Sequence, residues 1–457
     1  MDIVGRVLLG ITHGMRGSKS LRALREIKAT PSKSAQDVFA DQFLHLSSLL
    51  ALAEAKVPYY REMFRTLGIR SSDIRSLEDF SRLPYLTKDI IRERSDALLV
   101  EDVHKADLLR GQTGGSTGVP LRFYFDRSAM DLLEAGTFRA FTQCGWQPGE
   151  MVAFLWGGYA QLYAMSPWEF ELRQHIRRQY QFDSFDSGPD EMDRWLIKWR
   201  KIKPRVAFGY ASMIARFASH IEARGMKVDP LKGVFTTAEK LYAPQRETLS
   251  RVFGCHVYDF YGSSEVSNIA CECPRGRMHV NADMVVLEVD RSGGAGQPCP
   301  FIVTSLCNRV MPFLRYRNED CGDLEEGSCD CGNHFPLMHL DIARLYDDFI
   351  LPDGRFVHGH FFTRLMERSE GVAMFQFHQT SPDSITLWIV PGYGNAQERQ
   401  LAVRTAVQKV EQLDPLGRLK VQVRETTKIP LSSAGKHRFT LSDVRAAQKA
   451  STARSEG

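Results

Sequence analysis

The sequence predicts an α/β protein. A large N-terminal domain with parallel sheets and a β-rich subregion is followed by a small α+β C-terminal domain. Short apolar segments with strand character alternate with helical segments between residues 107 and 253, and this rhythm is typical of parallel sheets covered by helices. After residue 345 the pattern changes to a hairpin, two helices and an alternating strand. The length of 457 residues, with 43% hydrophobic residues, allows two domains with their own cores.

Residues 1–105 are predicted to be mostly helical. Apolar side chains recur at helical spacing through Ala35–Lys56. Pro58 ends this helix, because the residue before a proline is pushed out of the helical region, and Thr87 is predicted to cap a later helix. The apolar patch Val7–Ile11 has no cleavage site after it, so we expect a docked helix instead of a signal peptide. Contact of this patch with a membrane surface stays open.

The α/β part is predicted from four apolar segments and the helical segments that follow them. The strand segments are Leu121–Phe125, Met151–Trp156, Arg205–Gly209 and Gly233–Thr236. The helical segments are Ala129–Phe141, Ala211–Arg224 and Ala243–Phe253. Ligands of parallel sheets bind where strands end and loops begin, so we expect functional residues directly after these strands.

The rest of the chain predicts two smaller β-containing regions. Val285–Val289 and Pro300–Leu306 indicate a β-rich region within residues 270–340. The C-terminal segments are a hairpin over Asp348–Phe356 that turns at Pro352-Asp353-Gly354, helices over Phe361–Glu367 and Asn395–Gln412, and a strand over Ser384–Val390. We therefore expect a small α+β domain at the C-terminus.

Composition excludes several classes of function. The formal charge of +4 is small for this length, and no basic stripe with interleaved aromatic residues indicates nucleic-acid binding. No apolar run of about 18 residues predicts a membrane span. Seven of the nine cysteines fall between Cys271 and Cys331. This odd, clustered set predicts a reducing, cytoplasmic location and a metal site instead of a disulfide framework. A homodimer stays open.

The loop Thr113–Gly118 carries the strongest local pattern. Three glycines and three hydroxyl residues occur within six positions, and Pro120 follows shortly after. Glycines let backbone N–H groups approach an anion, and hydroxyls add donors for phosphate oxygens. The loop is not a Walker A sequence, because no Gly-Lys-Ser/Thr follows the glycines. It predicts a phosphate-binding loop for ATP.

Five further motifs follow this loop in a fixed order. They are Phe235–Glu239, Asp259–Glu265, Arg315–Asp320, Arg344 before Asp347-Asp348, and Ser433–Lys436. The order resembles the adenylate-forming superfamily of acyl-CoA synthetases and adenylation domains. The N-terminal segments Val57–Arg61 and Leu83–Lys88 are similar to the branch of phenylacetate–CoA ligase and capsule-biosynthesis ligases. The resemblance implies an ATP- and carboxylate-binding domain over 1–345 and a C-terminal lid domain over 346–457.

The resemblance implies roles for single residues. Those implied at the phosphates are Thr113, Gly114, Gly115, Ser116, Thr117 and Gly118. Further residues implied in nucleotide binding are Ala238, Glu239, Tyr261, Gly262, Ser263, Ser264, Asp320 and Arg344, with Ala238, Glu239 and Tyr261 at the adenine and Arg344 at the ribose or a phosphate. Glu265 would hold Mg²⁺, Asp320 would bind the ribose hydroxyls, and Lys436 would bridge the carboxylate and the α-phosphate. The catalytic set implied is Lys436, Glu265 and Thr117. Glu319 and Asp323 are rivals of Asp320, and Glu265 has the alternative of a helix N-terminal acid.

The cysteines and one histidine predict a structural zinc site. The preferred ligands are Cys273, His279, Cys329 and Cys331, with Cys271 as the substitute. Thiolates and an imidazole from two loops suit a closed tetrahedral site, although the Cys-x-Cys spacing is tighter than usual. Such a site has no open position for water and would not be catalytic. Reduced, buried thiols without a metal are the alternative.

The resemblance, supported by these motifs, implies an ATP-dependent carboxylate ligase that uses Mg²⁺. It would form an acyl-adenylate, release pyrophosphate and pass the acyl group to a thiol, with coenzyme A as the expected acceptor. Transfer to an amine or a sugar hydroxyl without coenzyme A is one alternative. A catalytically inactive nucleotide-binding relative is another. The carboxylic acid itself is not predicted by the sequence.

Overall fold

The structure is a computed structural model. It describes residues 5, 9–10, 17–112, 121–156, 166–183, 189–292, 299–342, 349–357, 359–366, 369, 371–392, 396–430 and 438–444. The predictions made for Thr113–Gly118, Arg344 and Lys436 fall outside these residues.

The N-terminal part of the chain is helical, as the sequence predicts. Ala35–Lys56 forms one helix with the predicted bounds, and the Ser34 hydroxyl accepts the Asp37 N–H at its start. Val57 is extended, and Pro58 opens the next helix at a position where its missing N–H breaks no helical hydrogen bond. No described helix is both long and apolar enough to cross a membrane. The α-helices are α1 Ser20–Ile27, α2 Ala35–Lys56, α3 Pro58–Leu67, α4 Leu77–Ser81, α5 Lys88–Glu93, α6 Arg127–Thr142, α7 Pro167–Arg177, α8 Pro189–Ile202, α9 Ala211–Ala223, α10 Ala243–Phe253, α11 Gly359–Met366 and α12 Ala396–Glu411.

Most strands belong to one eleven-stranded sheet. The strands are β1 Leu109–Gln112, β2 Arg122–Phe125, β3 Val152–Trp156, β4 Gln179–Asp183, β5 Val206–Tyr210, β6 Gly233–Thr237, β7 His256–Tyr261, β8 Ala270–Glu272, β9 Met278–Val280, β10 Val285–Val289, β11 Pro300–Ser305, β12 Tyr316–Glu325, β13 Leu337–Ile342, β14 Phe349–Ile350, β15 Phe356–Val357, β16 Val372–Ser381, β17 Ser384–Pro391, β18 Lys420–Glu425 and β19 Thr440–Ser442. The large sheet has the order β10-β11-β12-β13-β9-β8-β7-β6-β5-β3-β4.

One half of this sheet is parallel and contains most of the predicted α/β rhythm. Strands β3 to β7 pair in parallel, and α9 and α10 connect them as expected. The prediction for Leu121–Phe125 was wrong in one respect: its strand β2 pairs antiparallel with β1 in a separate two-stranded sheet. Strand β4 was not predicted, because its edge position leaves two glutamines and a tyrosine in a five-residue strand with little apolar signal.

The other half of the sheet is antiparallel and comprises the predicted β-rich region. Strands β8 to β13 continue the parallel half without a break, so this region extends the main sheet and is not a separate layer. The sheet curls strongly. Strands β7 and β12 are four positions apart in the order, which is about 19 Å in a flat sheet. The Tyr261 hydroxyl on β7 nevertheless donates to Asp320 on β12 over 2.9 Å.

A second core lies in the C-terminal part of the chain. The sheet β18-β17-β16-β19 packs with α11 and α12 around Phe362, Phe377 and Leu387. The predicted hairpin is present as β14 and β15, which pair antiparallel across the Pro352-Asp353-Gly354 turn. Tyr242 joins this core through an edge-on contact with Phe439. The boundary predicted at residues 345 and 346 lies outside the described residues and stays a prediction.

The parallel strands β3 and β5 approach each other too closely for a side chain at Gly209. A Cβ atom there would lie 2.1 Å from the Leu155 carbonyl oxygen, which belongs to the backbone of the neighbouring strand. We expect Gly209→Ala to lower the free energy of unfolding by about 2 kcal/mol or more, because the strands must separate. Urea unfolding measures this loss.

Gly10→Ala is the matched control, since no atom of the described residues lies within 4 Å of the Cβ that it adds. An equal loss of stability in both variants would contradict the close approach of β3 and β5.

Candidate active site

The first candidate residues follow the parallel strands directly. Strand β6 ends at Thr237, and Ala238 takes a left-handed conformation with φ of +66°. This backbone costs about 1 kcal/mol or more for a residue with a Cβ, and such strain is found mainly at functional sites. The next residue, Glu239, is buried and accepts the Ser212 N–H over 2.8 Å. Glu239 therefore ties the end of β6 to the N-terminus of α9, which is one strand away.

The second set lies on the turn between β7 and β8. The Ser263 N–H donates to the Val266 carbonyl over 2.9 Å, and the Val266 N–H returns to the Ser263 hydroxyl over 3.0 Å. A Cβ on Gly262 would lie 3.0 Å from the Asn268 nitrogen, so glycine suits the crossing at the base of this turn. Ser264 is exposed at the tip. The turn is thus closed by its own hydrogen bonds.

Glu265 points inward from this turn. Its side chain is buried, and its Oε1 accepts the Tyr316 hydroxyl over 2.8 Å. Tyr316 is fully buried at the start of β12. A carboxylate in this position needs a donor, because an unpaired buried charge is strongly unfavourable. Tyr316 supplies that donor.

Asp320 lies four residues after Tyr316 on β12, and its carboxylate also accepts a hydrogen bond from a tyrosine hydroxyl. Its Oδ2 accepts the Tyr261 hydroxyl over 2.9 Å, and its N–H donates to Asn318 Oδ1 over 3.1 Å. The Asn318 amide nitrogen in turn donates to the Tyr261 oxygen over 2.8 Å. All three side chains are buried. Asp320, Asn318 and Tyr261 therefore form one hydrogen-bonded network.

The structure brings together the candidates Tyr261, Glu265 and Asp320, and it places Glu239 at the end of the next strand. It also adds Tyr316 and Asn318, which the sequence analysis did not select as site residues. Tyr316, Asn318 and Asp320 alternate along β12, and residues two apart on a strand share a face. This alternation within Arg315–Asp320 is the signal that could have found them.

A cluster of charged residues lies on α10, β7 and β8, next to the turn that contains Glu265. Arg246 on α10 donates twice to Glu272 on β8, over 2.9 and 2.7 Å. The Asp259 N–H on β7 donates to the same carboxylate over 2.9 Å. Burial raises the pKa of the Asp259 carboxyl to about 7, with the Glu272 charge acting in the same direction and Arg246 opposing it. The cluster fixes α10 against the two strands that flank the Glu265 turn.

A separate cluster contains the predicted zinc ligands. One potential ligand atom from each of four residues lies within 4.8 Å of the others, and these residues are Cys273, His279, Cys329 and Cys331. The two sulfurs of Cys273 and Cys329 are 3.7 Å apart, and the Cys331 sulfur is 3.4 Å from His279 Nε2. Thiolates on a tetrahedral zinc ion lie about 3.8 Å apart, given a Zn–S bond of about 2.3 Å.

The hydrogen bonding and burial of His279 leave its Nε2 as an acceptor directed at the thiols, which suits a cation. His279 Nδ1 lies 3.0 Å from the Phe335 carbonyl oxygen, so this nitrogen carries the proton and Nε2 faces the thiols. Burial lowers the pKa of His279, which keeps the imidazole neutral. Cys271, the predicted substitute, packs in the core beside Gln143 instead and is not one of the four.

Several known proteins are similar in sequence to this chain. No family model matches the chain. It is 22% identical to Protein CapK of Staphylococcus aureus, over 97% of this chain and 96% of CapK. It is 24% identical to a phenylacetate–coenzyme A ligase of Thermus thermophilus, over 67% of this chain and 70% of that ligase.

Among solved structures, a 2-hydroxyisobutyryl-CoA ligase bound to an acyl-adenylate superimposes with a TM-score of 0.70. The alignment covers 94% of both chains at 17% identity. The chain has the fold of the adenylate-forming enzymes. The resemblance predicted from the order of the motifs, and the α/β fold class, are therefore confirmed.

Proposed function

We propose that this protein is an ATP-dependent carboxylate ligase. It joins a carboxylic acid to the α-phosphate of ATP, releases pyrophosphate and then passes the acyl group to a thiol, with coenzyme A as the acceptor. The observation that carries the proposal is the buried pair of acids Glu265 and Asp320, each held by a tyrosine hydroxyl on the adenylate-forming fold.

The proposed roles divide between the described site and the motifs outside it. Glu265 holds Mg²⁺, which prefers few carboxylates together with phosphate oxygens. Asp320 binds the ribose hydroxyls, since a carboxylate offers two acceptor oxygens. The residues proposed to contact adenine are Ala238, Glu239 and Tyr261, and the turn residues Gly262, Ser263 and Ser264 are proposed to bind the nucleotide. Outside the described residues, Thr113–Gly118 would bind the β- and γ-phosphates, and Arg344 would approach the ribose or a phosphate.

Charge explains why these groups are needed. A carboxylate is ionised at pH 7 and must attack a phosphate that is also negative, so the site has to supply positive charge where the two anions meet. The described acids Glu265 and Asp320 add negative charge, and this favours a bound Mg²⁺. We propose that Lys436 brings the second positive charge, and that no general base is required.

A second acceptor class stays open beside coenzyme A. The likeness to the Thermus phenylacetate–coenzyme A ligase covers 67% of this chain, whereas the likeness to CapK covers 97%. The likeness to CapK extends over nearly the whole chain, and the name CapK specifies no acceptor. An amine or a sugar hydroxyl remains the alternative acyl acceptor.

We also propose that the four-residue cluster binds a structural zinc ion. Cys273 and His279 lie on the β8–β9 hairpin, and Cys329 and Cys331 lie on the loop between β12 and β13. A zinc ion would join these two elements. The β8–β9 hairpin follows the Glu265 turn in the chain, and the β12–β13 loop follows the strand that contains Asp320. The metal would therefore hold the two halves of the site together.

The ligase function is tested by pyrophosphate release over a panel of carboxylic acids, with ATP and Mg²⁺, with and without coenzyme A. We expect at least one acid to drive release, and mass spectrometry to detect its coenzyme A thioester. Release without a thioester would favour the amine or hydroxyl acceptor. Absence of release across the panel would contradict the ligase and favour an inactive nucleotide-binding relative.

Lys436→Ala should reduce pyrophosphate–ATP exchange by about a hundredfold or more, because one preorganised positive group at the developing charge is lost. Acyl transfer from a supplied acyl-adenylate should be spared. Lys428→Ala, at an exposed lysine on the same part of the chain, is the control and should retain both steps. Equal loss of both steps in Lys436→Ala would contradict the lid assignment.

Purified protein should contain about one zinc ion per chain by elemental analysis, as expected for a closed four-ligand site. Cys329→Ala should lose the metal and lower the melting temperature, since the energy of metal binding contributes to folding. Cys255→Ala is the matched control, because this thiol is also half-buried but lies outside the cluster. Less than half an equivalent of zinc in the wild type, or equal loss in both variants, would contradict the site.

A further inference from the structure

The segment Leu83–Leu86 runs along the beginning of β12. The Leu86 N–H donates to the Arg315 carbonyl over 3.0 Å, and the Arg317 N–H donates to the Leu86 carbonyl over 3.0 Å. These two bonds form a parallel bridge that brackets Tyr316. On its other edge Tyr316 pairs with Val303 of β11. Tyr316 is therefore held on both sides by backbone hydrogen bonds, although β13 pairs with β12 only further along.

Arg315 fastens the same segment with its side chain. Its guanidinium donates to Glu288 over 2.9 to 3.1 Å and to the Leu83 carbonyl, and it lies over the Tyr85 ring at 4.7 Å. The Arg315 backbone is left-handed, with φ of +51°, and its N–H donates to Thr304 Oγ1 over 2.8 Å. Burial of the charge and the left-handed backbone of Arg315 both cost free energy. The contacts of Arg315 offset this cost and fix the position of the residues that begin β12.

Helix α3 contacts the residues that precede Arg315, through hydrogen bonds of Tyr60. The Tyr60 hydroxyl donates to the Pro312 carbonyl over 2.8 Å and accepts the Leu314 N–H over 3.0 Å. Tyr60 is buried, and so are both partners. Together with Leu83, Tyr85 and Leu86, Tyr60 forms what we call the N-terminal clamp, which grips residues 312–317.

The clamp reaches the candidate magnesium ligand through the Tyr316 hydroxyl. Tyr316 is fully buried, its ring packs 5.4 Å from that of Phe313, and its hydroxyl donates to Glu265 Oε1 over 2.8 Å. A glutamate side chain loses rotamer entropy when it is fixed. A hydroxyl that is already held in place orients the carboxylate before the metal arrives.

We propose that Tyr316 is the positioning residue of Glu265, and that the N-terminal clamp serves to hold it. This inference rests on the proposed function, in which Glu265 binds the Mg²⁺ of ATP. It assigns a purpose to the two N-terminal motifs Val57–Arg61 and Leu83–Lys88, which no step of the ligase reaction uses directly. Both motifs converge on residues 312–317 through the contacts given above.

The test measures how much Mg²⁺ tightens ATP binding, by calorimetry with Mg²⁺ and with EDTA, so the carboxylic acid need not be known. Tyr316→Phe removes the hydroxyl and keeps the ring. We expect the Mg²⁺-dependent gain in affinity to fall about tenfold, the effect of losing one hydrogen bond to a charged group, while ATP binding in EDTA is retained. Tyr258→Phe, at a buried tyrosine on β7, is the control and should keep the full gain.

A double-mutant cycle separates this inference from the proposed function. Glu265→Gln should also lower the gain, and adding Tyr316→Phe to it should have no further effect, because Tyr316 acts through Glu265. If Glu265→Gln lowers the gain and Tyr316→Phe leaves it intact, the inference is overturned and the proposed function stands. If Glu265→Gln leaves the gain intact, the magnesium role of Glu265 is itself wrong.

A second variant keeps the test decisive if Tyr316→Phe fails to fold. Tyr60→Phe removes the hydroxyl that binds Pro312 and Leu314 and leaves Tyr316 unchanged. We expect a smaller drop in the Mg²⁺-dependent gain, about two- to threefold, as expected for a neutral hydrogen bond that acts at one remove. An unchanged gain in folded Tyr60→Phe protein would overturn the clamp.

Discussion

The interior position of Glu265 and Asp320 is the constraint on which the rest of this structure depends. Removing a carboxylate from water costs several kcal/mol unless donors replace the lost hydration. The donors come from two distant strands: Tyr316 and Asn318 lie on β12, and Tyr261 lies on β7. A flat sheet could not bring these strands into contact. The strong curl of the large sheet brings β12 against the Glu265 turn. The hydrogen bonds made there stabilise the curl in return.

The sequence predicted the elements well and their assembly only in part. The helix Ala35–Lys56 has the predicted bounds, because its apolar spacing is regular and Pro58 follows it directly. The parallel strands β5 and β6 were found because every residue in them is buried and most are apolar. Leu121–Phe125 was placed in the wrong sheet, since local pattern does not specify a partner strand. Partner choice depends on contacts between residues far apart in the chain.

The candidate site shows the same limit. Motif order identified Tyr261, Glu265 and Asp320, but the resemblance carried no information on what holds them. The alternation along β12 could have indicated Tyr316 and Asn318, but their partners are given by the structure, in which β12 lies against the Glu265 turn. The cysteine cluster was easier to predict, because thiols and an imidazole have few other reasons to gather. The preferred ligand Cys273 belongs to the cluster, whereas the substitute Cys271, two residues earlier, packs in the core.

The N-terminal clamp has a consequence for the order in which the chain can fold as it is synthesised. Tyr60 is separated from its partners Pro312 and Leu314 by 252 and 254 positions, and Leu83 from Arg315 by 232. Contacts over such distances close late and slow the search for the native state. The helices before residue 105 must therefore wait, with apolar faces uncovered, until the ribosome has added residue 317. During synthesis the early helices therefore expose apolar surface, and this surface has to be shielded from aggregation until residues 312–317 are available.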